Sequence, residues 1–142
     1  IKKNSVYAVG TSSVEEINKI NILNASLLSM DRALSKLKIK PYIAYIDGLF
    51  IPKKTNIKCK AIIKGDEKNT NIAAASIIAK VSRDLFMIAL AKKYPKYGWH
   101  KNFGYGTKEH LCGLKKYGIT KHHRKKFKPV HNILISKTRE TL

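Results

Sequence analysis

Nine acidic residues are few enough to be sorted one at a time for catalytic or metal-binding use. Glu15, Glu16, Asp31, Glu67, Glu109 and Glu140 stand in polar or helix-cap contexts, where a solvated carboxylate is the simple reading. Asp47, Asp66 and Asp84 remain. Asp84 closes the run Asn71-Ile72-Ala73-Ala74-Ala75-Ser76-Ile77-Ile78-Ala79-Lys80-Val81-Ser82-Arg83-Asp84. At about 100° per residue it falls within roughly 60° of Ala73, Ile77, Val81 and Ile88, in the stripe where a helix should meet the core. An unpaired carboxylate desolvated there costs several kcal/mol, so a cation is needed. Lys80, one turn earlier, offers an i,i+4 pair worth about 0.3–0.5 kcal/mol when exposed; a bound metal ion is the alternative. Asp47 ends the apolar run Tyr42-Ile43-Ala44-Tyr45-Ile46, and ligands of α/β sheets collect at the C-terminal ends of strands. Asp66, in a Gly65-Asp66 turn ahead of a helix, suits a turn or helix-dipole role. Asp47 and Asp84 are therefore the pair best able to hold a hard cation through oxygen, as Mg²⁺ sites do beside substrate phosphates.

Other side chains point to polyanion contact. The loop Trp99-His100-Lys101-Asn102-Phe103-Gly104-Tyr105-Gly106-Thr107 combines aromatics, glycines and a cation, the ingredients for stacking on a base or sugar beside a phosphate. Gly104 and Gly106 would let the main chain come close while exposing Tyr105; aromatic packing beneath a turn is the competing reading. His122 and His123, beside Arg124, Lys125 and Lys126, either extend a phosphate-contacting surface or belong to a solvated basic tail. His110 and Cys112 have the wrong spacing on a helix to share one zinc comfortably, with or without Cys59.

The elements that must position these groups alternate. A Val/Tyr-rich strand is expected from Ser5 to Gly10, then a helix opened by the capping-box pair Ser13 and Glu16. Helical periodicity restarts at Asn21 or Asn24, with Leu23, Leu27, Met30, Leu34 and Leu37 on one face until Lys40-Pro41 ends it. A buried strand covers Tyr42–Ile46, another covers Lys60–Ile63, and a long helix runs from about Asn69 to Lys92 until Pro95. A shorter helix spans Thr107–Tyr117 with Gly118 beyond it, and a basic part follows from about Lys121. Strands alternating with helices predict an α/β domain with crossover connections, one domain over residues 1–142. The sequence opens on Ile1 without a removable signal, which predicts a chain beginning partway into a longer protein.

The formal net charge is +20, from 29 basic against 9 acidic residues, and nucleic acid is the expected partner, with an anionic membrane surface well behind. The lysine excess, 25 Lys against 4 Arg, in an Ile- and Asn-rich chain also fits compositional drift toward A/T-rich codons. Two cysteines form no framework, and no stretch approaches the roughly 18 apolar residues of a membrane span. An intracellular, cytoplasmic, soluble protein is expected.

Several segments, in order and spacing, resemble the type 2 ribonucleases H, specifically the bacterial ribonuclease HII family. They are Glu16-Ile17-Asn18-Lys19-Ile20-Asn21-Ile22-Leu23, Tyr45-Ile46-Asp47-Gly48, Lys64-Gly65-Asp66, Ile72 through Asp84, Gly104-Tyr105-Gly106-Thr107 with His110, and His123-Arg124 with Phe127. The resemblance implies a ribonuclease H-like mixed sheet flanked by helices, with the first strands absent from this chain. It implies Mg²⁺- or Mn²⁺-dependent cleavage of RNA in RNA–DNA hybrids and at a lone ribonucleotide in duplex DNA, leaving 3′-hydroxyl and 5′-phosphate ends, by a protein that is a monomer at full length. Asp47 and Asp84 would match two of four active-site carboxylates, and Tyr105 the tyrosine that packs on the sugar at the junction. Gly104, Lys80, Arg124 and His123 are read as further nucleic-acid contacts. The family's Asp-Glu pair and Gly-Arg-Gly element are not in this sequence, which predicts that these 142 residues alone are inactive and of marginal stability. Asn18 and Lys126 depart from the family pattern without touching the proposed chemistry. The alternative is a non-catalytic basic nucleic-acid-binding module in which Asp84 merely pairs with Lys80.

Overall fold

The computed structural model describes residues 1–139, and the chain divides into two compact units, Ile1–Ser82 and Arg83–Leu142. Glu140 lies outside the described residues.

In the first unit, helix α1 (Val14–Lys36) begins at the capping box read from the sequence. The Glu16 amide donates to the Ser13 hydroxyl at 3.1 Å, and the Ser13 amide donates to the Glu16 carboxylate at 2.8 Å. The Arg32 guanidinium grips the same carboxylate, first by hydrogen bond, and holds its pKa down at about 2. At Asn21 the backbone leaves the helix (φ 67°, ψ 170°), and its side chain accepts the Asn24 amide at 3.0 Å, recapping the second half. This is the restart that the periodicity predicts.

Two expectations fail in this unit. Ser5–Gly10 is not a strand: it is irregular chain whose carbonyls turn to α1, with Lys36 Nζ donating to Val9 at 3.3 Å. Just beyond it, Arg32 donates to the Thr11 carbonyl at 2.7 Å. Side chains of one helix satisfy polar groups that a strand ladder would have taken. Asp31 is not solvated either. It is buried (7% exposed), its Oδ2 accepting the Lys54 amide at 3.4 Å, and it ties the loop between the two strands to α1.

Strands β1 (Ile43–Asp47) and β2 (Lys58–Ile62) pair in parallel, with Ile43 opposite Lys58 and Asp47 opposite Ile62. Ala44 and Ile46 are buried while Tyr45 and Asp47 face outward, so β1 is covered on one face, not two as its apolar run suggests. The α/β expectation holds, and within the described residues the sheet has these two strands. After β2 come a short helix α2 (Gly65–Lys68) and the long α3 (Thr70–Lys93), which contributes to both units. Asp66 and Glu67 occupy the first turn of α2, as the turn reading of Asp66 requires.

The buried residues of α3 are Ile72, Ile78, Met87 and Ala91. Ile77, Val81 and Ile88, the neighbours expected to bury Asp84, are 53%, 43% and 38% exposed. The stripe chosen from periodicity is thus the outer one, because an apolar residue on each of two faces leaves the core side undetermined by spacing alone.

The second unit gathers Met87, Ala91, Tyr97, Trp99, Leu114 and Val130 into one core. A 3-10 turn at Pro95–Tyr97 leads to α4 (Trp99–Asn102) and α5 (Lys108–Tyr117). Thr107 caps α5 by accepting the His110 amide at 3.3 Å, and Gly118 ends it at φ 78°. The segment read as a basic tail instead forms α6 (Lys128–Arg139), whose Val130 is buried.

Candidate functional site

Asp47 sits on the last pair of the parallel ladder, and the chain reverses directly after it. The Gly48 amide donates to the Ile62 carbonyl at 2.9 Å. The Gly65 amide, opening α2, donates to Asp47 Oδ1 at 2.8 Å and fixes how the carboxylate is turned. Gly65 packs closely here: a Cβ there would stand 3.4 Å from Asp47 Oδ1 and 2.5 Å from Ile72 Cδ1, which would have to turn aside. The Lys64-Gly65-Asp66 turn therefore serves Asp47 through its glycine, a role that the sequence reading, focused on Asp66, did not find.

Asp84 lies half-buried on α3 in the second unit. Its neighbour Arg83 reaches toward the loop, where a Cβ on Gly104 (φ 88°) would meet Met87 Cε at 3.1 Å and Arg83 Nη2 at 3.5 Å. Partial desolvation and, next, the charge of Arg124 push the Arg83 pKa down, while Tyr105 and Asp84 act the other way. The Arg124 guanidinium rests over the Phe127 ring at 4.8 Å. Two guanidiniums that repel each other beside an exposed tyrosine form a place that a phosphate would stabilise. Arg83 is the cation of this cluster that the sequence reading passed over; it stands between Ser82 and Asp84.

The aromatic loop divides between two roles. Trp99 is buried and stacks on Tyr97 at 5.1 Å, so the packing reading is right for it. Tyr105 is 74% exposed, yet its backbone is pinned: its amide donates to the Asn102 carbonyl at 2.8 Å, and its carbonyl accepts the Thr107 amide at 2.9 Å. The Gly104 amide donates to Asn102 Oδ1 at 2.9 Å, and Asn102 Nδ2 donates to the Tyr97 carbonyl at 2.8 Å.

His123 differs from its expected place at the surface. It is 6% exposed, and both ring nitrogens are engaged, Nδ1 by the Thr120 amide at 2.9 Å and Nε2 by His110 Nε2 at 3.2 Å. Burial pushes its pKa down to about 4, with His110 adding to the shift. No nitrogen is left for phosphate. Lys80 is exposed on α3, in the first unit.

Asp47 and Asp84 belong to different units, each described by itself. As hard oxygen donors both suit Mg²⁺ or Mn²⁺. Among the described residues no group of three or more His, Cys, Asp or Glu side chains is arranged to hold an ion. Among them also, no helix is long and apolar enough to cross a membrane.

The chain is similar to named proteins along most of its length. It is 58% identical over 134 residues to the ribonuclease HII of Pelagibacter ubique, covering 94% of this chain and 72% of that one. It is 54% identical over 127 residues to the ribonuclease HII of Cereibacter sphaeroides, covering 89% of this chain and 60% of that one. The chain thus spans about six to seven tenths of these relatives' own length. The crystal structure of ribonuclease H2 from Pyrococcus horikoshii OT3 superposes with a TM-score of 0.71 at 25% identity, over 89% of this chain and 67% of that one, so the ribonuclease H-like fold is established. The family model described as Ribonuclease HII matches residues 1–130, and with these relatives it shows that the chain belongs to the ribonuclease HII family.

Proposed function

We propose that this protein acts in metal-dependent endonucleolytic cleavage of the RNA strand of RNA–DNA hybrids and nicks duplex DNA at single ribonucleotides. The observation that carries the reading is Tyr105: an exposed ring on a backbone bonded from both sides, beside Arg83, which Arg124 also faces, in a chain of this family. An aromatic face held rigidly beside two cations is suited to stacking on a sugar or base while the adjoining phosphate is neutralised. Asp47, turned by the Gly65 amide, and Asp84 are the carboxylates proposed to hold Mg²⁺ or Mn²⁺. When bound, such an ion supplies Lewis acidity, activating water and stabilising a leaving 3′ oxygen, which gives 3′-hydroxyl and 5′-phosphate ends. Lys80 and Arg124 are proposed to contact backbone phosphate.

Asp47 and Asp84 supply two of the four carboxylates that the family resemblance implies, so the 142 residues alone should give no nick. The test uses a chimera in which this chain replaces the matching 134-residue stretch of the Pelagibacter relative. Incubated with Mg²⁺ and a DNA duplex holding one ribonucleotide, the chimera should nick 5′ to it, and its Asp47→Asn and Asp84→Asn forms should bind the duplex without cutting. Cleavage undiminished in both variants would remove the two carboxylates from the reaction, and a chimera that binds the duplex without cutting it would favour the non-catalytic binding module.

A further inference from the structure

His110 and His123 are buried imidazoles that the proposed chemistry does not use, and their protons can be assigned by donor accounting. The Thr120 amide can only donate, so His123 Nδ1, 2.9 Å away, carries no proton. Its proton is on Nε2 and points at His110 Nε2, 3.2 Å away. Trp99 Nε1, which also can only donate, lies 3.2 Å from that same His110 nitrogen. His110 Nε2 is therefore a bare acceptor for two donors, and its single proton sits on Nδ1. That Nδ1 lies 2.9 Å from the Tyr105 carbonyl, to which it donates. A proton added to His110 would set its N–H against those of Trp99 and His123, and both rings are 6% exposed. Each ring is accordingly held in one tautomer.

We infer that His110 and His123 are positioning residues whose locked tautomers hold the Tyr105 carbonyl and so fix the height at which the tyrosine ring meets a bound strand. The inference rests on Tyr105 being a nucleic-acid contact, as proposed above. It explains why the tyrosine ring is so open while the amide and carbonyl of the same residue are both bonded. A histidine chosen only to fill the core would not need its second nitrogen aimed at a loop carbonyl.

Two measurements decide it. On the unaltered protein labelled with ¹⁵N-histidine, long-range ¹⁵N–¹H spectra at pH 7 should show His110 as the Nδ1–H and His123 as the Nε2–H neutral tautomer. A cationic ring, or His110 protonated on Nε2, overturns the inference. Binding to a fluorescein-labelled DNA duplex with one ribonucleotide, in EDTA so that nothing is cut, gives the second. Tyr105→Ala should weaken it by about tenfold, the scale of one lost stacking contact. His110→Gln, whose amide falls on the Nε2 side and leaves the carbonyl to the Thr107 amide alone, should lose as much, with no further loss in the double variant. His110→Asn, whose amide takes the Nδ1 place, should bind within about twofold of the original, since it keeps the donor. Tyr105→Ala binding as tightly as the original protein would sink the nucleic-acid role of the loop, and this inference with it. Weakening by Tyr105→Ala with equal affinities for the Asn and Gln variants would overturn the positioning role alone.

Discussion

Arg83 and Tyr105 are expected to contribute to binding through different physics, and salt separates them. A guanidinium that meets a phosphate displaces a condensed counterion, whereas a stacked ring displaces none. Arg83→Gln should therefore weaken binding to hybrid and plain DNA duplexes alike and flatten the slope of log K against log salt by about one. Tyr105→Ala should lower affinity at an unchanged slope. Fluorescence anisotropy across a salt series reads both, and an Arg83→Gln slope equal to the original would remove Arg83 from the phosphate contacts. The exposure of Tyr105 was legible in the sequence because flanking glycines are a local signal. The burial of Asp31 and His123 was not. Asp31 does carry a signal, four residues after Leu27 and three before Leu34, on the same face, but its polar type hid it. His123, inside His122-His123-Arg124-Lys125-Lys126, has no local mark of burial; only the fold brings Thr120, His110 and Trp99 around it.

Among elements, α5 shows how packing overrides propensity. Gly113 sits mid-helix, where alanine is intrinsically better by about 1 kcal/mol. A Cβ there would lie 2.6 Å from the Lys96 carbonyl oxygen and 3.4 Å from Tyr97 Cα, backbone atoms that cannot rotate away. Overpacking of this kind costs about 1–3 kcal/mol, so the clash outweighs the gain. Gly113→Ala should lower the urea midpoint of the second unit with an unchanged slope, followed by emission of Trp99, the chain's one tryptophan. A raised midpoint would show that α5 moves away at no cost. The helices α1, α3 and α5 and strands β1 and β2 were legible to within a few residues, because capping residues, Pro41, Pro95 and Gly118 punctuate them. Helix α6 was hidden by its lysines and the basic run before it, although Val130, Ile133 and Leu134 have helical spacing. Ser5–Gly10 looked like a strand by composition, but a strand needs a neighbour, and the described residues offer that segment α1 instead.

At the scale of the whole molecule, two forces of opposite sign act on the surface. The net charge of +20 drives copies of the chain apart. Along α3, Ile77, Val81, Leu85 and Ile88 fall within about 80° of one another and remain between 38% and 57% exposed, an apolar strip of the kind that draws copies together. Repulsion between exposed charges is screened by salt, with a Debye length falling from ~30 Å at 0.01 M to ~3 Å at 1 M, whereas apolar attraction is not weakened by it. Low salt should therefore hold the 142-residue chain monomeric, and its mass by light scattering should rise as salt increases. Replacing Val81 and Leu85 with lysine adds charge at the strip itself and should keep the mass at one chain throughout. A monomer at every salt concentration in the unaltered protein would mean that the strip is too broken by Lys80, Arg83 and Asp84 to act as a surface, and growth equal in the double-lysine variant would place the association elsewhere.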